Sequence, residues 1–203
     1  MKKIILGLLL ISFQGYSQLS GGIKSGALLS NFKFENSESE KSGLKPSFYA
    51  GIFIEYKFKR VAPEFEVSYN QSGNRGSILI RQNFDDVPTK LYSNYKLNLL
   101  MFSVASKFYL TKKFNLKFGV HYSQVLYVEN SIENFPGING ALKTDLTDSW
   151  KKNDFGVLFG VNFDITKHLF LDGTYLIGLS DLREIPKYEV NNRMIKIGAG
   201  YKF

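Results

Sequence analysis

Asp154-Phe155-Gly156-Val157-Leu158-Phe159-Gly160-Val161-Asn162-Phe163-Asp164 decides the fold. Phe155, Val157, Phe159, Val161 and Phe163 share one face. Gly156, Leu158, Gly160, Asn162 and Asp164 share the other. A period of two residues is that of a β-strand. Working outward, the same alternation recurs in Phe114–Ser123, Met194–Phe203, Val61–Asn70 and Leu169–Ile177. Leu19–Ser30, Phe48–Phe58 and Tyr95–Leu110 repeat it more weakly, which makes eight expected strands. The composition agrees: 18 Phe, 12 Tyr and 18 Gly against 5 Pro suit an all-β protein better than a helical one.

The connections alternate in length. Lys59-Arg60, Thr111-Lys112-Lys113 and Ile165-Thr166-Lys167 are short links, whereas segments 31–46, 70–94, 129–151 and 181–190 are expected to be long loops. Short turns at one end and long polar loops at the other are the pattern of an eight-stranded antiparallel up-and-down transmembrane β-barrel. Spans of this length also suit a tilted membrane strand, which needs about 9–11 residues. Eight strands enclose a bore that side chains nearly fill. The faces carrying Gly, Ser, Asn and charge fit such a bore better than faces crowded with Phe, Tyr, Ile and Leu. The apolar faces are therefore expected to meet lipid, the reverse of a soluble ligand-binding barrel.

Met1-Lys2-Lys3 precedes an apolar run from Ile4 to Phe13, and Gly15 and Ser17 stand at positions −3 and −1 of a signal-peptidase site. This predicts a signal peptide over residues 1–17 and a barrel domain over 18–203. The run is too short to cross a bilayer as a helix, which takes roughly 20 residues. The formal charge of +8 raises nucleic acid as a partner. The aromatic residues belong to the apolar stripes, however, and are not free to act as stacking platforms, so no nucleic-acid binding is expected. Lys59, Arg60, Lys112, Lys113 and Lys167 gather at the short turns, where outer-membrane lipids with anionic headgroups are an expected partner.

Several stretches carry a family resemblance. They are Gly22-Ile23-Lys24-Ser25-Gly26, Ala50-Gly51, Pro63-Glu64-Phe65-Glu66-Val67-Ser68-Tyr69, Leu100 through Tyr109 leading to Phe118-Gly119-Val120, Asp154-Phe155-Gly156 with Gly160, Tyr175 with Gly178-Leu179-Ser180, and Gly198-Ala199-Gly200-Tyr201-Lys202-Phe203. In this order and spacing the chain resembles the PorT-like outer-membrane β-barrel proteins of Gram-negative bacteria. The resemblance implies an outer-membrane location and partners among other envelope proteins, since one member type assists a secretion system. Tyr201 and Phe203 are similar to the terminal aromatic signal read by the barrel-assembly machinery.

On this register twelve ionisable residues face inward: Lys24, Glu55, Lys57, Glu64, Glu66, Lys107, Lys117, His121, Asp164, Asp172, Lys196 and Lys202. Six basic and five acidic residues beside one His predict mutual pairing, because an unpaired buried charge is costly. Glu64 and Glu66 could form a retained carboxylate pair, and His121 a general base, but no nucleophile motif accompanies them. His168 reads as a rim residue. With no Cys and two distant His, no metal or cofactor site is expected. Trp150, beside Lys151-Lys152, reads as an interface-belt aromatic. The expected role is structural or interactive, through the loops or the periplasmic rim, with a plugged lumen and no enzymatic activity. The rivals are a small-solute channel and an outer-membrane lipid-modifying enzyme.

Overall fold

The computed structural model describes residues 18–34, 43–80, 89–133, 140–182 and 190–203; the expected signal peptide lies outside these residues. The strands are β1 (Leu19–Phe34), β2 (Lys45–Tyr56), β3 (Val61–Ile80), β4 (Thr89–Tyr109), β5 (Phe114–Glu133), β6 (Leu142–Asp145), β7 (Asn153–Asp164), β8 (Leu169–Gly178) and β9 (Val190–Lys202). All neighbours pair antiparallel, and β9 returns to β1, so the eight long strands close a ring. Closure removes the open edges that a flat sheet would expose. The ninth strand, β6, is an addition: it pairs with β5 over Glu129–Ile132, beyond the end of β7.

The alternation translates directly into an apolar belt. Ile54 lies opposite Phe65, Phe65 opposite Val104, Val104 opposite Val120, Val120 opposite Val157, and Val157 opposite Ile177. These side chains point outward; Ile54, Val104 and Val120 are each more than half exposed. A hydrocarbon surround is the solvent in which such a surface is stable.

Two expectations about loops are corrected. Segment 70–94 is mostly strand: β3 and β4 pair continuously out to Ile80 opposite Thr89. Segment 129–151 holds the end of β5, β6 and a short 3-10 turn at Thr147–Ser149. Strands β3, β4 and β5 have 20, 21 and 20 residues, about twice what a tilted membrane crossing needs. Their outer halves extend the wall past the ends of their shorter neighbours. There the inward side of β3 carries Ser72 and Asn74, both buried and polar, so the hydrophobic period vanishes while the hydrogen-bond ladder continues. Leu126 is an extra residue in β5: Leu99 pairs with Val125 but Asn98 with Tyr127. This bulge shifts the inward positions from Ser123 and Val125 to Val128.

Candidate functional site

The lower lumen holds a connected set of ion pairs. Lys24 reaches Glu64 at 3.2 Å and Glu66 at 2.6 Å. Lys107 reaches Glu55 at 2.7 Å and Glu64 at 2.5 Å. Lys117 reaches Asp172 at 2.8 Å and Glu64 at 3.7 Å. Lys196 meets Glu66 at 3.3 Å, and Lys202 meets Glu55 at 3.1 Å and Asp164 at 3.0 Å. The five lysines and five carboxylates balance, and every strand of the ring supplies at least one of them. Sheet register alone would have been unfavourable here. Glu55 is the direct neighbour of Glu64, and Lys107 of Lys117, and like charges in such positions repel. Lys107 bridges the two glutamates and Glu64 bridges the two lysines, which converts both repulsions into attraction.

Uncharged groups complete the packing. Asn162 and Thr174 donate to Asp172 at 2.8 and 3.0 Å. Phe53 and Phe170 meet edge to face at 5.4 Å, and the Lys107 ammonium lies 5.3 and 5.5 Å from their ring centres. Ammonium over an aromatic ring is a favourable contact, strengthened by desolvation. Gly200 makes room for this pair: a Cβ there would stand 2.1 Å from the Phe170 ring.

Of the twelve ionisable residues read from the sequence as inward, the structure places eleven along the lumen, whereas Lys57 lies outside it. It follows the last residue of β2, is exposed, and lays its ammonium 3.7 Å from the Tyr109 ring centre at the barrel mouth. His121 is buried beside Ser123, with Oγ to Nδ1 at 3.4 Å. Both are within 2% of complete burial. Glu64 and Glu66 are each held by lysines. Among the described residues no cluster of three or more His, Asp or Glu could hold a metal ion.

The upper lumen escaped the sequence reading. Leu28, Leu97, Leu99, Met101, Leu176 and Met194 pack inside the barrel above the ion pairs. Trp150 closes this layer and is not an interface aromatic. It is buried, 5.5 Å from the Phe32 ring and 5.9 Å from Tyr95. Its segment is tied across the mouth by Lys151 N–H to the Leu182 carbonyl at 2.9 Å and Val125 N–H to the Lys152 carbonyl at 2.7 Å.

Over residues 4–203 the chain matches the profile of the outer membrane protein beta-barrel domain. The chain belongs to that family. It is a protein of the bacterial outer membrane. Two solved structures of similar fold are Ail, the attachment invasion locus protein of Yersinia pestis, and Neisserial surface protein A. Ail is 13% identical with a TM-score of 0.52, covering 92% of this chain and 99% of its own. The Neisserial protein is 17% identical with a TM-score of 0.53, covering 90% and 97%. At these identities the likeness is one of fold. No curated protein sequence matches the chain.

In this outer-membrane barrel the short turns face the periplasm, as they do across the class. Two of them are the same device. In Leu110-Thr111-Lys112-Lys113-Phe114 the Thr111 hydroxyl accepts from the N–H groups of Lys113 and Phe114 at 3.2 and 2.9 Å. In Ile165-Thr166-Lys167-His168-Leu169 the Thr166 hydroxyl accepts from His168 and Leu169 at 3.2 and 2.9 Å. The threonine satisfies the turn's backbone, and the lysines extend into water. Tyr201 and Phe203 lie on the outer face at the same end, both exposed, with ring centres 5.8 Å apart.

Proposed function

We propose that this is a PorT-like outer-membrane barrel with a closed lumen, acting as a structural or interaction partner in the envelope and neither conducting solutes nor catalysing a reaction. The observation that carries this reading is the charge-balanced network contributed by all eight ring strands, capped by the apolar layer under Trp150. An eight-stranded bore has little free width, and two packed layers in series leave no continuous wet path. Function then resides on the surfaces: the extracellular loops and the periplasmic rim. Assistance to a secretion system is the role suggested by the family resemblance, with other envelope proteins as partners. Outer-membrane lipids contact the apolar belt, and Tyr201 with Phe203 serves as the signal for the barrel-assembly machinery.

Planar-bilayer recording from the pure, folded protein tests the closed lumen. The expected trace shows no steady openings. Regular unitary conductance would replace the plug with a pore and make the protein a small-solute channel.

A further inference from the structure

The periplasmic mouth is a recess of about 620 Å³ on the barrel axis. Its floor is the end of the ion network, where Lys202 is shared between Glu55 and Asp164. Glu55 also receives Lys107, so both carboxylates already have an ammonium partner within the lumen. The wall carries Lys57, Lys112, Lys113 and Lys167, none of which has a carboxylate partner among the described residues. The twin turns set the backbone from which Lys112, Lys113 and Lys167 project, because the Thr111 and Thr166 hydroxyls hold it, and Lys57 follows the end of β2. Four unopposed ammonium groups around one concavity make a focused positive field.

The geometry also selects the kind of anion. The recess opens along the axis, and its floor residues point inward. A phospholipid whose acyl chains remain in the bilayer outside the barrel cannot place its headgroup there. The turn N–H groups at Lys113, Phe114, His168 and Leu169 are already bonded to threonine hydroxyls, so no backbone cradle is left for a single tightly held phosphate. What fits is a flexible chain bearing several carboxylates, able to meet separated ammonium groups one by one. We propose that this recess docks an acidic peptide segment of a soluble periplasmic protein. The proposal rests on the reading of the barrel as an interaction partner and assigns its periplasmic site.

The test uses the full mature protein in phosphatidylcholine nanodiscs and a fluorescein-labelled hexaglutamate peptide, followed by anisotropy. Binding at low salt is expected, weakening as ionic strength rises. The triple variant Lys112→Gln, Lys113→Gln, Lys167→Gln is expected to bind about tenfold more weakly, as three exposed charge contacts would dictate. The variant Lys143→Gln, Lys152→Gln, on the opposite end, is expected to bind like the parent. Equal affinity for all three proteins, or no binding at any salt, overturns the proposal. Loss of adsorption to phosphatidylglycerol vesicles in the triple variant, without peptide binding by the parent, would assign the lysines to lipid instead. Shift of the unboiled band on gels confirms that each variant is folded. Bilayer recording stays independent, so a closed barrel that binds no peptide refutes the docking site alone.

Discussion

Lys24 on β1 and Glu64 on β3 meet at 3.2 Å although β2 lies between their strands. The contact spans β2 on the inner face, so it depends on the curvature that brings next-nearest strands of a narrow barrel within reach, and not on the pairing within one ladder. Glu64 also receives Lys107 and Lys117, which makes it the busiest member of the network.

Replacing Glu64 with Gln leaves three buried ammonium groups short of a partner. A loss of about 3–5 kcal/mol in unfolding free energy is expected, read from the urea midpoint in detergent micelles. Asp164→Asn, at the wetter mouth, should cost about 0–1 kcal/mol. Equal, small effects at both positions would mean that water fills the lower lumen.

Glycines divide by what surrounds them. A Cβ on Gly156 would fall 2.1 Å from the Ile177 carbonyl oxygen, which belongs to backbone and has nowhere to go. Gly173 has its nearest neighbour at 3.5 Å, an ordinary contact. Gly156→Ala is expected to destabilise by about 1–3 kcal/mol. Gly173→Ala should be neutral or stabilising by up to about 1 kcal/mol. Parallel refolding yields and urea midpoints for the two variants decide the matter.

Trp150 is the sole tryptophan, so its fluorescence reports one site. Buried inside the barrel against Phe32 and Tyr95, it should emit at short wavelength and resist acrylamide. Brominated acyl chains should not quench it, whereas they would quench an aromatic in the lipid interface. Trp150→Ala is expected to lower stability by about 3–5 kcal/mol, the usual cost of emptying so large a buried site.

Asp145 accepts hydrogen bonds from the Thr147 hydroxyl at 2.6 Å and the Thr147 N–H at 2.9 Å, which hold its carboxyl below the usual aspartate range. A depressed folded value means that the bonds support the 3-10 turn above the unfolded pKa. The support is lost as pH falls through the folded value. An NMR titration should place Asp145 low in the parent and higher in Thr147→Val, where the N–H bond alone remains. No difference between the two would remove the hydroxyl from the account.

The strands were legible wherever one face had to be dry. Phe155 through Phe163 announces β7 because lipid outside and polar packing inside impose opposite chemistry on successive residues. Past Asn70 on β3 the buried Ser72 and Asn74 are as polar as Gln71 and Arg75 beside them, so nothing in Gln71 through Arg75 distinguishes a strand from a loop. The ionic half of the lumen was readable from parity alone. The apolar half was not, because Leu97, Leu99 and Met101 stand in a segment where Leu100 and Phe102 are also apolar and the alternation is lost. Lys57 shares the parity of Glu55 but lies past the strand end, a boundary that periodicity does not mark. Trp150 beside two lysines has the sequence of an interface aromatic. Only the pairing of its flanks with Val125 and Leu182 turns it inward.

The distribution of charge around the ring also ties neutrality to closure. The seven ring strands other than β9 bring five carboxylates to the network, Glu55, Glu64, Glu66, Asp164 and Asp172, against three ammonium groups, Lys24, Lys107 and Lys117. The last strand carries Lys196 to Glu66 and Lys202 to Glu55 and Asp164. The strand that completes the wall therefore also completes the charge balance of the bore, where an unpaired charge is costly.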